Sequence, residues 1–405
     1  MAIILLTVFL LPLIPASYQF GYEQIKVLFF ILSISLIGFI WIFKKPQVRW
    51  TNMTKAASFF ILVLVATSFL GLDPWVSFLG MQPYFQGAVI YSDLFLFFLM
   101  VKSSNIKLET YAKALVISAI VVSLLAIKDW VNLSILNIQI PTYAGRVVST
   151  FGQPNFYAGF ILLTLPFWHF LIKRKISWWL LVGFLILALG IIISQSRTAQ
   201  MLMVGLFIWW LIGEWVKGKL LVIGEILILI GLIALLSVFF NSGFFWNEVV
   251  EPYLTTNPDL TRASVENRVY IWPIAWELVL QKPLIGYGLE NIDQAFNNYF
   301  TVNKHKLFEE NLNIYPVLIS LKDLTIDRSH NYILDLLLFS GILGLIAWLL
   351  LIALIFRKLG QKSSDRGKNV LVVSLILYLI WVQFQNQSVV HLVYFWTIAG
   401  LIDRE

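Results

Sequence analysis

Asp327-Arg328-Ser329-His330-Asn331-Tyr332, running straight into the apolar stretch Ile333 to Phe356, is the segment on which the reading of this chain turns. The apolar stretch is long enough to cross a hydrocarbon core of about 30 Å. A histidine beside an arginine at the mouth of such a helix is costly unless it pairs with something or does something. Two readings follow: His330 is a site of chemistry, or it caps a helix at the interface.

The rest of the chain supplies the setting. Of 405 residues, 59% are hydrophobic and 13% charged, where soluble domains carry roughly 45–50% and about 25%. The fold class is therefore all-α, a polytopic membrane protein. Apolar runs occur at Ala2 to Pro15, Ile25 to Phe43, Ala56 to Leu72, Ala88 to Val101, Tyr111 to Ile127, Phe156 to Ile172, Ile176 to Ile193, Ala199 to Val216, Leu220 to Phe240, Tyr332 to Phe356, Val370 to Phe384 and Val389 to Leu401. That predicts about 12 transmembrane helices, grouped as an N-terminal bundle (1–240), a large, partly helical extracytoplasmic loop (241–331) and C-terminal spans (332–405). The first run lacks a preceding positive charge and more spans follow at once, so it reads as a span and not a cleaved signal.

The net charge of +7 would suggest nucleic acid in a soluble protein. Here most of the basic residues fall in alternate short loops: Lys44, Lys45, Arg49 and Lys55; Lys102, Lys107 and Lys113; Lys173, Arg174 and Lys175; Lys217 and Lys219; Arg357, Lys358, Lys362, Arg366 and Lys368. The positive-inside rule places these loops and both termini in the cytoplasm. Asn132 to Asn155, Ser194 to Thr198 and Asn241 to Asn331 then face outward. Within the last, Val265 to Gln281 has a helical apolar pattern with Trp272 and Trp276, suited to a membrane surface.

Basic residues on the outward side need a reason. Arg197 sits in a turn between two apolar runs, where it either snorkels to the interface or holds an anion. Arg268 opens the Trp-bearing helix, with Arg262 upstream; they are solvated charges or, at a helix start, phosphate ligands. A guanidinium about 4 Å from a phosphate charge gains on the order of 4 kcal/mol at an effective dielectric of 20, before desolvation. Cysteine is absent and the four histidines, His169, His305, His330 and His391, show no zinc spacing. A lone imidazole suits proton abstraction from a hydroxyl. Asp335 lies about 140° around a helix from His330 and is no natural orienting partner; an acid within a span would instead bond to neighbouring helices.

Several local patterns, in order, resemble one family: Phe151-Gly152-Gln153-Pro154-Asn155 before a span, Ser196-Arg197-Thr198, Asn267-Arg268 leading into Trp272 and Trp276, Pro283-Leu284-Ile285-Gly286-Tyr287-Gly288, and Ser329-His330-Asn331-Tyr332 followed by Gly341 and Gly344. Together with the long exported loop they resemble the O-antigen ligase and O-antigen polymerase family of bacterial membrane glycosyltransferases. The resemblance implies an enzyme of the cytoplasmic membrane with an outward-facing site. Arg197 and Arg268 would hold the pyrophosphate of an undecaprenyl-linked glycan, assisted by Arg262 or Arg328, with Gln153 and Asn155 in the substrate-binding set. His330 would activate the acceptor hydroxyl, with inversion and no metal or other cofactor. Polymerase, ligase and transfer to protein all stay open. A flippase for the same lipid-linked sugars is the rival of another class, disfavoured because the candidate charges gather at the surface and not at the midplane. A scaffold without activity leaves Arg197 unexplained.

Overall fold

The computed structural model describes residues 2–17, 21–43, 48–172, 178–215, 264–302, 326–361 and 366–404. Helix dominates, because a chain this apolar has to satisfy its backbone internally when the surrounding solvent is lipid. The helices are α1 (Ala2–Leu10), α2 (Gln24–Phe43), α3 (Asn52–Phe69), α4 (Pro74–Leu79), α5 (Ala88–Lys102), α6 (Leu108–Ser134), α7 (Pro154–Ile172), α8 (Trp178–Ile193), α9 (Arg197–Trp215), α10 (Ser264–Gln281), α11 (Ile292–Val302), α12 (Tyr332–Gln361), α13 (Arg366–Trp381) and α14 (Val389–Asp403). A small antiparallel hairpin, β1 (Thr142–Tyr143) with β2 (Arg146–Val147), precedes α7.

Among the described residues, α2, α3, α6, α7 and α12 are long and apolar enough to cross a membrane, and α1, α8, α13 and α14 contain shorter apolar stretches. This is a multi-pass membrane protein. The expected run Leu220 to Phe240 lies outside the described residues, so the count of twelve stands as an expectation from sequence. The helix expected over Val265 to Gln281 is α10, and Pro154 opens α7 as expected of proline at a first helical position. The short α4 was not foreseen; Asp73 caps it, its carboxylate accepting from the backbone of Trp75 and Val76. The last-but-one apolar run overreached, since α13 stops at Trp381 and Val382 to Ser388 form a turn.

Two clusters of contacts fix the helices at their ends. At one end Asp403 accepts from Lys102 Nζ at 2.6 Å, Lys358 Nζ at 2.7 Å, and the hydroxyls of Thr51 and Thr54 at 2.7 Å each. The carboxylate is wholly buried, and two cations plus two hydroxyl donors replace the water it has lost. This joins the start of α3 to the ends of α5, α12 and α14. The opposite end holds the starts of α5 and α14, bridged by Gln86 Nε2 donating to Gln387 O at 2.7 Å.

Here α12 is broken at Gly341, whose φ is +62° and ψ −161°. The freed backbone groups are taken up by the segment after α10. Tyr287 and Gly288 donate to Leu338 O and Phe339 O at 2.7 and 2.9 Å, and Ile342 donates to Pro283 O at 2.8 Å. Only bare backbones approach this closely: a Cβ on Gly341 would lie 2.3 Å from Leu284 O, and one on Gly286 2.5 Å from Leu338 O. The two motifs that sequence reading set side by side, Pro283 to Gly288 and Gly341, are the two halves of one crossing. Leu72 N also donates to Tyr287 O at 2.9 Å, tying the end of α3 to it.

Gly341→Ala should lower the melting temperature in detergent, with a loss of at least about 2 kcal/mol from the left-handed backbone and the collision together. Gly360→Ala, in open helix with nothing within 4 Å, should leave it unchanged or raise it. Equal melting of the two variants would refute this account of the crossing.

Candidate active site at the broken-helix end

His330 sits in the left-handed region, with φ +59°, a conformation that costs a non-glycine residue about 1–3 kcal/mol unless its neighbours enforce it. They do. Ser329 N donates to Asp335 Oδ1 at 2.7 Å, Ser329 O accepts from Trp272 Nε1 at 2.9 Å, and Ser329 Oγ donates to Asn331 O at 3.0 Å. The cap of α12 is Asn331, whose Oδ1 accepts from Leu334 N at 3.1 Å. The interfacial-cap reading of His330 thus fails: its neighbour does that work and the imidazole is left over. Its Nδ1 is buried without a hydrogen-bond partner. Burial first, then the charges of Arg268 and Arg328, push the His330 pKa down to about 4. Asp335 bonds to this turn and not to a neighbouring helix.

The expected residues gather around the turn Val382 to Ser388. Arg268 Nη2 donates to Phe384 O at 2.7 Å. Gln385 Nε2 donates to Thr198 Oγ1 at 3.0 Å, beside Arg197 at the start of α9. Asn386 Nδ2 donates to Tyr84 Oη at 2.6 Å. The Tyr84 ring lies 6.1 Å from that of Phe156, next to Asn155 and one turn from Gln153, and Arg328 stacks over Tyr84 at 4.3 Å. Tyr332 N closes the circle by donating to Val382 O at 3.2 Å. Arg262 lies outside the described residues.

Arg328 is committed elsewhere than expected. Its guanidinium is buried in an ion pair with Glu290 and donates to Asp327 O at 2.8 Å, so it braces the His330 turn. Arg268 is half-buried, with Nε unpartnered, and burial lowers its pKa. Arg146 on β2, not singled out beforehand, lies within electrostatic reach of Arg197 and Tyr157, and burial again lowers its pKa first. Like charges close together in a partly dry place favour an anion. The starts of α7, α9, α12 and α14 lie at this same end, adding the positive ends of their dipoles.

On the other side of Arg328 the balance reverses. A cavity of about 290 Å³ is lined by Met81, Gln82, Pro83, Glu290, Asp293, Asp327 and Arg328. Burial pushes the Asp327 carboxyl up to about 7, with Arg328 opposing and Glu290 and Asp335 adding to it. Carboxylates in such a place accept hydrogen bonds from hydroxyl groups. An imidazole that is neutral at pH 7, set between cationic and acidic surroundings, can take a proton from a hydroxyl whose attack displaces an anionic leaving group.

One comparison with known proteins falls on the same residues. Residues 182–349, which span Arg197, Arg268 and His330, match the O-antigen ligase family. A putative polysaccharide ligase of Rickettsia conorii is 29% identical over 31% of this chain, and one of Rickettsia felis 26% identical over 33%. A general O-oligosaccharyltransferase of Acinetobacter baylyi is 25% identical over 70% of this chain. The matched regions cover 26%, 31% and 48% of those three relatives, less than half of each. The resemblance read from the sequence motifs is upheld.

Glu290→Ala should destabilise the protein by about 3–5 kcal/mol, because it strands a buried Arg328 without its counter-charge. Arg328→Met with Glu290→Leu should recover much of that loss, measured as melting in detergent; a single variant as stable as the native chain would contradict the bracing role.

Proposed function

With residues 182–349 matching the O-antigen ligase family as premise, we propose that the chain is a membrane glycosyltransferase of the cytoplasmic membrane. It moves a glycan from undecaprenyl diphosphate to a hydroxyl acceptor, with its site on the outer face and both termini in the cytoplasm. The His330 imidazole takes the proton of the acceptor hydroxyl. The oxygen attacks the anomeric carbon from the face opposite the leaving group, so the configuration inverts. The anomeric C–O bond to the diphosphate breaks, and the lipid diphosphate departs with the electron pair, its charge held by Arg197 and Arg268 with Gln153 and Asn155 nearby. The residues carry this charge chemistry without calling on a metal ion, and Arg328 keeps His330 in place.

One observation carries the reading. The start of α9, Arg268 and the His330 turn, far apart in sequence, all attach to the single turn Val382 to Ser388. The acidic cavity beyond Arg328 suits an acceptor rich in hydroxyls. A sugar hydroxyl and a protein hydroxyl both meet that description. Chain-length analysis of the cell's glycan separates the options: loss of a polymerase leaves single repeat units attached, and loss of a ligase leaves polymer on the lipid.

Arg197→Ala, Arg268→Ala and His330→Asn should each reduce transfer at least about a hundredfold while the protein still inserts and melts as before; asparagine tolerates the left-handed backbone. Near-normal transfer in all three refutes the assignment. The acid limb of kcat/KM should lie well below pH 6.5, because the free imidazole titrates near 4. Diphosphate bound to the arginines offsets their charge and favours the imidazolium, so the limb of kcat should lie higher than that of kcat/KM. A kcat limb at or below the kcat/KM limb would contradict this.

A further inference from the structure

The polar residues of the Val382 to Ser388 turn are more than a fastening. Four oxygens of the surrounding ring are buried without a hydrogen-bond partner: Gln153 Oε1, Ser196 Oγ, Gln383 Oε1 and Asn386 Oδ1. Gln153, Ser196 and Asn386 are 6%, 1% and 5% exposed, and buried polar atoms are paired in the great majority of cases. The orientation of Gln383 is not arbitrary. Its Nε2 donates to Leu379 O at 3.2 Å, which only the nitrogen can do, so the oxygen is the end left over. Asn386 Nδ2 rests on the Tyr84 hydroxyl, which leaves its oxygen over, and Gln385 between them is spent on Thr198.

The Ser196 hydroxyl can donate or accept, but the amide oxygens of Gln153, Gln383 and Asn386 only accept, so they want hydrogen-bond donors, and this points to the ligand class. A diphosphate near neutral pH presents almost only acceptors, and a prenyl tail presents neither. The remaining part of a lipid-linked glycan, the sugar joined to the diphosphate, presents hydroxyl or acetamido N–H groups. The turn is strung between the two arginines, fastened to Thr198 beside Arg197 at one point and to Arg268 at another, so its free oxygens lie where that first sugar would follow the diphosphate. We propose that Gln383 and Asn386, with Gln153, form a subsite that reads the hydroxyl or acetamido groups of the diphosphate-linked sugar and so sets donor specificity. This rests on the donor reading given above.

The test compares binding of two probes to the full chain in detergent: undecaprenyl diphosphate, and the same lipid diphosphate carrying N-acetylglucosamine. The native protein should prefer the sugar-bearing probe by roughly tenfold or more. Gln383→Ala and Asn386→Ala should erase that preference while keeping affinity for the bare lipid diphosphate, and Gln383→Glu, which retains an acceptor, should preserve it. If the native protein binds neither probe, the donor reading itself fails. If it binds both equally, or if the alanine variants keep the preference, the oxygens are merely hydrated and the subsite is overturned. Loss of both probes at an unchanged melting temperature would also overturn it, by giving the turn to the diphosphate; should an alanine variant fail to fold, Gln383→Met and Asn386→Leu, which keep the volume and remove the acceptor, are read by the same criteria.

Discussion

Backbone groups freed inside a membrane helix have no water to turn to, and at Gly341 that constraint organises half the protein. The carbonyls of Leu338 and Phe339 and the amide of Ile342 find partners only because Pro283 to Gly288 comes up against them as bare backbone. That meeting anchors the segment that follows α10 to α12. From there Trp272 reaches Ser329 and Arg268 reaches Phe384. Irregular backbone at membrane depth is tolerated where protein covers it; here it also brings the arginine-bearing helix to the histidine.

Around that anchor the charges sort themselves. Three guanidinium groups, Arg146, Arg197 and Arg268, lie toward the starts of α7, α9 and α10, while Glu290, Asp293 and Asp327 lie beyond Arg328. Arg328 with Glu290 forms the partition, a buried ion pair whose guanidinium lies over the rings of Tyr84 and Phe339. A neutral imidazole held in a strained backbone next to this partition experiences the cationic side strongly. Filling that side with an anion is what alters its affinity for a proton.

Much of this was legible in the sequence because it is written in composition and short motifs. Apolar length gave the helices, and basic loops gave an orientation consistent with α3 running against α5, α12 and α14 in the Asp403 cluster. Arg197, Arg268 and His330 stood out because charge is rare in a chain like this. What stayed hidden is long-range pairing. Gln383-Phe384-Gln385-Asn386-Gln387 carries four amides in five residues, yet its first two residues were taken into an apolar run and the rest passed over as a connection, since uncharged amides do not stand out as charges do. Arg328 looked like a phosphate ligand because nothing local reveals that Glu290 is its partner. The role of Asp335 was equally invisible, being set by one backbone amide six residues earlier.

The Asp403 cluster has a consequence for how the molecule is made. Lys102 enters the membrane boundary 301 residues before the carboxylate that neutralises it. At about 5–20 residues per second of synthesis, that is roughly 15–60 s during which an ammonium group beside α3 must be kept wet or shielded by lipid headgroups. Arrival of α14 supplies the counter-charge to Lys102 and Lys358 in one event, so α3, α5 and α12 lack this tie until the ribosome has delivered it.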